Sequence, residues 1–193
     1  MKATRSDKAD ALAAWAAWPE DRAGEWVGSA IEEEEVPTRI HEAVVAYLLF
    51  VLTGWARRHG ARVYGSELKL AVSPTRGRKA DVTVFLATTP RSAATLLLQE
   101  HPPHVAVEVV SASPQDARRD RIDKLAEYAS FGVNYYWIVD PQLRTLEAYE
   151  LTPDGRYAHA LGASAGRESV PGLSSFSLDL DELWSEVDRE LDE

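Results

Sequence analysis

The chain has 193 residues, 45% of them hydrophobic and 27% charged, with no cysteine and a formal net charge of −10. This length and composition suit one globular domain with a sizeable core, and the missing thiols exclude disulfides, thiolate metal sites and cysteine nucleophiles. The net charge argues against indiscriminate binding to polyanions, but the acid excess is concentrated in residues 151–193, and the middle of the chain carries two basic clusters, "TRGRK" (Thr75 to Lys79) and "RRDR" (Arg118 to Arg121).

The opening residues carry early positive charge, but their Ala/Trp stretch is flanked by Asp10 and Glu20 and has no Leu-rich core before a cleavage site, so no signal peptide is expected. Residues 9–18 suit a short Ala-rich helix ended by Pro19. Its apolar stripe of Leu12, Trp15 and Trp18 would dock on the core or on a second subunit. "EEEEVPTRIHEAVVAYLLFVLTGWARRHG" predicts a helix from Thr38 to His59, stopped at Gly60, with glutamates ahead of it where the helix dipole favours negative charge. The apolar run inside it, Ala43 to Leu52, falls well short of the roughly 20 residues that cross a bilayer, so a buried helix and no membrane are expected.

After Gly60 the period changes to two. "ARVYGSELKLAV" predicts one or two strands, "TRGRK" a turn, "ADVTVFLA" a strand and "PHVAVEVVSA" another. "SPQDARRDRIDKLAEYASFG" predicts a helix with Ser113 as N-cap, Pro114 at the first helical position and Gly132 at its end. "NYYWIVD" and "RTLEAYEL" read as strands on either side of a turn at Pro141, "GRYAHALG" and "ESVPGLSSFSL" as short strands, and "LDELWSEVDRELDE" as an acidic closing helix. Long βαβ repeats are absent, so the expected class is α/β of mixed α+β character, with a mixed central sheet flanked by helices on both faces. Residues 1–30 are expected to form an N-terminal helical extension and residues 31–193 a single domain.

One residue stands out in this pattern. Glu108 lies in the middle of an otherwise apolar strand, where a carboxylate without compensation is costly. Residues two apart in a strand share a face, which groups Ala106, Glu108 and Val110, and likewise Asp81, Thr83 and Phe85. If these two strands are neighbours, Asp81 and Glu108 converge. Two such oxygens suffice for a hard divalent cation that keeps several waters: Mg2+, with Mn2+ as a substitute. Structural alternatives remain at this point: Asp81 capping a turn, Glu108 held by Arg78, Lys79 or another strand's donors, and Lys124 as a surface partner of Asp120.

The segments "KADVTVF" and "VEVVSAS" resemble a variant of the PD-(D/E)XK nuclease signature, an acid in a hairpin followed by Glu-x-Lys in the next strand. Downstream, "VEVVSAS...D...K..EYA..GV.YYWIVDP...TLEAYEL...VPGL" resembles the Uma-two family, bacterial proteins regarded as restriction endonucleases. The resemblance runs from about Glu35 to Trp184 and is strongest over residues 105 to 151. Ala80 stands where that family usually has proline, and Val110 where the superfamily signature has lysine. The resemblance implies that the lysine comes instead from the following helix, at Lys124; Asp120, Lys124 and Tyr128, four apart, share one helix face.

It further implies a restriction-endonuclease-like core that hydrolyses phosphodiesters in DNA, with Asp81, Glu108 and Lys124 catalytic, the metal on Asp81 and Glu108, and Glu67 a candidate third acid. Arg76, Arg78, Lys79, Arg118, Arg119 and Arg121 are candidate phosphate contacts. A cytoplasmic homodimer is expected, with Trp15, Trp18 and the closing helix as candidate subunit contacts. His41 resembles a histidine that many relatives carry near that position and is read as structural. Two rival readings stand beside this one: a nuclease-like fold used as a binding or scaffold module, which the acidic total favours, and a hydrolase of another phosphodiester.

Overall fold

The computed structural model describes residues 12–19, 24–28, 30–32, 36–91, 98–111, 113 and 118–192. In chain order, β1 (Glu25–Val27) and β2 (Ala30–Glu32) precede helix α1 (Arg39–His59). Strands β3 (Arg62–Gly65), β4 (Lys69–Ser73), β5 (Arg76–Lys79), β6 (Val82–Phe85) and β7 (Val105–Val109) follow. A π-helical turn (Arg119–Lys124) then runs into α2 (Leu125–Phe131). Strands β8 (Tyr135–Asp140), β9 (Thr145–Leu151), β10 (Tyr157–Ala163), β11 (Arg167–Glu168) and β12 (Leu178–Asp179) lead to α3 (Leu180–Leu191).

Six strands form the central sheet in the order β10-β9-β8-β7-β6-β3. Neighbours are antiparallel except β7 and β8, which run parallel, so the sheet is mixed as expected. A parallel pair requires a crossover connection. Here the π-helical turn and α2 lie between β7 and β8 in the chain. Val105, Val107 and Val109 of β7 join the large core together with Val44, Leu48, Leu52 and Trp55 of α1 and with Leu183 and Val187 of α3. Ala106 and Val110 face the other side, among Leu70, Ala80, Tyr128, Tyr136 and Ile138. Helices therefore cover both faces, and the alternation of β7 puts Glu108 on the α2 side.

Helix α1 begins where Thr38 accepts the backbone N–H of His41 and ends at Gly60, whose φ of 67° is the left-handed conformation that glycine tolerates best. The α2 helix stops in the same way at Gly132, φ 95°. The expected start of that helix at Pro114 lies outside the described residues; over Arg119–Lys124 the chain is π-helical rather than α-helical.

Two strand expectations need correction. "TRGRK" is not a turn: only Pro74 and Thr75 turn, and Arg76–Lys79 is a strand inside a second sheet of order β2-β1-β5-β4. The basic side chains misled because Arg78 and Lys79 are buried against acids from other elements instead of being solvated. Of "ESVPGLSSFSL", only the ends form the two-residue strands β11 and β12. The irregular segment between them still buries Val170, Leu173 and Phe176 in the large core.

Residues 12–16 are helical and pack on the small sheet. The Lys69 ammonium donates to the Trp15, Ala16 and Trp18 carbonyls at 3.3, 3.0 and 3.0 Å, closing that helical turn. The Trp15 ring lies directly over Gly77, where an added Cβ would come within 2.2 Å of it. Trp15 is thus docked on its own chain and 1% exposed, not offered to a second subunit; Leu183 and Trp184 of α3 are likewise consumed by the core. Gly77→Ala is expected to destabilise the fold by about 1–3 kcal/mol, the usual consequence of overpacking. An unchanged urea midpoint would refute this packing.

Candidate active site

Strands β6 and β7 pair in the register Val82↔Val107, and continuing it by one residue sets Asp81 opposite Glu108. The two acids that strand alternation picked out are therefore neighbours. The Asp81 carboxylate accepts the Val109 backbone N–H through Oδ2 at 2.7 Å. The Glu108 carboxylate is 3% exposed and has a donor on each oxygen: Tyr128 Oη on Oε1 at 2.7 Å and Lys124 Nζ on Oε2 at 2.8 Å. Lys124 thus reaches the strand from the crossover helix, alongside the apolar Val110, which is itself buried. It is no surface partner of Asp120, although that carboxylate is also 3.5 Å from its ammonium.

The site contains a residue that sequence reasoning passed over. Glu25 of β1, fully buried, accepts Arg78 Nη1 through Oε2 and the Lys79 backbone N–H through Oε1, both at 2.7 Å, and lies 3.8 Å from Lys124 Nζ. Nothing in "GEWVGSAI" marks it as special beyond the flanking glycines Gly24 and Gly28, whose positive φ values, 123° and 69°, bracket the short strand. Arg78 continues the chain of charges to Glu127, donating to its carboxylate at 2.7 and 3.1 Å.

Burial dominates the electrostatics. It pushes the Glu108 carboxyl well above the usual carboxylate range, opposed by Lys124 and reinforced by Asp81, Asp120 and Glu25. It raises Asp120 as well, against the pull of Lys124 and Arg119. Glu25 ends below its ordinary value because Lys124, Arg78 and the Lys79 N–H outweigh its burial. Burial works to discharge Lys124, but Glu108, Glu25, Asp120 and Asp81 together hold its ammonium charged. Tyr128 is kept protonated by burial and by Glu108, so it remains a donor.

His41 also belongs here, although its sequence position suggested a structural role. The Thr38 cap fixes it in the first turn of α1, where Nε2 is 3.4 Å from Asp81 Oδ2. Asp81 and Glu42 raise its affinity for a proton despite the opposing effect of burial.

The remaining sequence candidates are not all gathered at this point. Glu67 sits half-exposed in the turn between β3 and β4, 3.7 Å from Lys79 Nζ. Arg78 is 1% exposed, so it serves the interior and cannot contact phosphate as it stands. Lys79 is 9% exposed. Arg121 donates to Asp140 and Glu147 at 3.0 and 3.1 Å. Arg76 pairs with Glu127, and Arg118 pairs with Asp123 at 3.1 Å; their side chains are 39% and 64% exposed. Arg119 is partly exposed beside Asp120.

Among the described residues no three of His, Asp and Glu converge as a ready-made metal cage. The donor chemistry nevertheless fits a hard cation. Glu25, Asp81, Glu108 and Asp120 crowd around one lysine, Arg78 is shared with Glu127, and Oδ1 of buried Asp120 has no hydrogen-bond partner. Carboxylates in excess of the local positive charge, with Asp81 still partly open to solvent at 16% side-chain exposure, are what a two-carboxylate magnesium site requires.

A family model described as "Uma2: Putative restriction endonuclease" matches residues 11–181. Among curated proteins, none matches the chain. Among solved structures, the chain is similar to a putative nuclease belonging to DUF820 from Anabaena variabilis, with 18% identity, a TM-score of 0.74, and 92% of this chain and 98% of that one covered. A weaker match, at TM-score 0.42 and 15% identity, is to the type IIG restriction endonuclease BpuSI, covering 85% of this chain and 18% of that one. The chain accordingly shares its fold, a mixed central sheet with helices on both faces, with the DUF820 protein.

Proposed function

Because the chain belongs to the Uma2 family, we propose that it is a nuclease that hydrolyses phosphodiester bonds in DNA with a divalent cation, Mg2+ or Mn2+, held by Asp81 and Glu108. The observation that carries the reading is the Glu108–Lys124 pair, a buried acid and a buried base delivered to one point by β7 and the crossover helix, beside Asp81. Clusters of this kind, buried and electrostatically strained, concentrate at functional sites.

A bound divalent cation supplies Lewis-acid activation of the phosphate and of the attacking water. The protein's own part is positional and electrostatic. The Val109 N–H and His41 both lie on Oδ2 of Asp81 and fix its orientation. Tyr128 holds Glu108 by its other oxygen. Lys124 directs an ammonium toward the charge that develops on the phosphoryl oxygens, where a preorganised donor is most effective. Arg76 and Arg118, the two exposed cations of the basic clusters, and Arg119 would contact flanking phosphates.

Supercoiled plasmid with Mg2+ tests the reading. Wild type is expected to cut, and Asp81→Asn and Glu108→Gln to lose about a hundred-fold or more in rate; equal activity in all three would overturn it. Direct linearisation, without accumulation of nicked circles, is the outcome expected of a homodimer that cuts both strands.

The double occupation of Glu108 by Tyr128 and Lys124 favours a second reading, a scaffold that never binds metal. Calorimetry with Mn2+ separates the two: an absence of binding heat would leave the scaffold.

A further inference from the structure

Lys124 occupies one oxygen of Glu108 and Tyr128 the other, and of the two only Lys124 carries a charge that competes with a metal ion. Its Nζ is 2.8 Å from Oε2, and an ammonium at that distance repels a divalent cation bound to the same carboxylate. For Glu108 to serve as a ligand, Lys124 has to give ground without losing compensation for its own buried charge.

The surroundings provide a place to go. Oδ1 of Asp120 is 3.5 Å from Nζ and, among the described residues, has no hydrogen-bond partner, although the residue is 97% buried, being 3% exposed. A buried acceptor left unpaired is destabilising and uncommon, so its retention needs a reason. Oε1 of Glu25 is 3.8 Å from Nζ on a side chain with no exposure at all. That oxygen accepts the Lys79 N–H and has a second lone pair available. An ammonium carries three donors, and a shift of about 1 Å would bring both oxygens to normal hydrogen-bond distance.

We propose that Asp120 and Glu25 form a second seat for the Lys124 ammonium, which moves into it when Glu108 turns to a divalent cation. The two acids are positioning residues: they touch Lys124 and act on metal binding only through it. This rests on the metal-dependent reading above and adds to it a reason for the otherwise excessive number of carboxylates. Glu25 is ionised and so able to receive the lysine, because Lys124 and Arg78 outweigh its burial. The metal-free protein holds Lys124 on Glu108, and the loaded protein holds the same ammonium on Asp120 and Glu25.

The test is a double-mutant cycle read by Mn2+ calorimetry on the full chain, with no substrate present. Wild type is expected to bind Mn2+, and Asp120→Asn, nearly the same shape, to bind it about ten-fold more weakly, because Lys124 then stays on Glu108. Lys124→Met loses the competitor together with the cation that opposes the burial of Glu108, so it serves as the background of the cycle. In the Lys124→Met background, Asp120→Asn should change the affinity by about two-fold or less. Glu25→Gln, run through the same cycle, should behave alike and guards against one variant failing to fold. The proposal is overturned if Asp120→Asn leaves wild-type affinity intact, or if its full effect survives without Lys124, which would make Asp120 a ligand or a simple field effect. Failure of wild type to bind Mn2+ would remove the function reading as well, so the two failures are distinct.

Discussion

Replacing Lys124 by methionine is expected to lower magnesium-dependent plasmid cleavage by about a hundred-fold or more, the scale of losing one preorganised donor at a charge-developing centre. Methionine keeps much of the lysine stem's volume, so the space it fills stays filled while the charge goes. Stability should change with pH in a particular direction. Lys124 is the cation that opposes the burial of Glu108, so without it the Glu108 carboxyl rises further above its ordinary value of 4.5. A carboxyl whose pKa is higher in the folded than in the unfolded state stabilises the fold below the unfolded value and loses that contribution as pH rises through the folded one. The variant should therefore approach wild-type stability near pH 5 and fall behind at pH 8, by up to about 3–5 kcal/mol, the scale of breaking a buried pair. Urea denaturation at the two pH values reads this; a deficit that does not grow with pH would contradict it.

Arg78→Met should produce the largest loss of stability. The guanidinium is 1% exposed, bound at 2.7 Å to Glu25 on one side and to Glu127 on the other. Removing it leaves the buried Glu25 carboxylate with Lys124 at 3.8 Å and one backbone N–H, at a cost of about 3–5 kcal/mol at neutral pH. Here the sign is opposite to that of Glu108. Glu25 in the wild type is held below 4.5, so its ionised form stabilises the fold above that value, and the contribution is lost as pH falls through the lowered folded value. The gap between wild type and Arg78→Met should thus be full at pH 7 and shrink as the pH falls below about 4.5. Adding Glu25→Met to Arg78→Met should recover much of the loss, since an apolar pair of similar volume removes the stranded charge. A double variant as unstable as the single one would mean that Arg78 matters through packing alone.

What could be read in the sequence was whatever depended on local periodicity. The α1 helix declares both of its ends through Thr38 and Gly60. The alternation in "VAVEVV" placed Glu108 on a particular face, and the four-residue spacing of Asp120, Lys124 and Tyr128 put Lys124 and Tyr128 on the same carboxylate even though the turn that carries Asp120 and Lys124 is π-helical. The illegible part depended on contacts between distant segments. Arg78 looks solvated because its partners, Glu25 and Glu127, lie about fifty residues away on either side. Glu25 looked like an ordinary acid in a helical extension because its short strand pairs only with β2 and β5. Glu67 lies in a segment that reads as strand but falls in a turn, where alternation carries no information. His41 shows how much a cap determines: Thr38 sets the helix start, and the start sets which residue meets Asp81.

The entry of β1 into the site also bears on how the protein acquires its chemistry as it folds. Glu108 and Lys124 are 16 residues apart, a short loop that closes with little loss of chain entropy, whereas Glu25 meets Arg78 across 53 residues. The lysine and its first acid can therefore come together early, but Glu25 arrives only when β1 has docked on β5 and Trp15 has settled on Gly77. Until then Arg78 lacks Glu25 and Lys124 lacks one of its four carboxylates, so completion of the small sheet is also the step that completes the charge network. A chain shortened to begin at residue 31 would retain Asp81, Glu108 and Lys124, every residue of the nuclease-like signature, and still lack Glu25, the buried acid that Arg78 and Lys124 share.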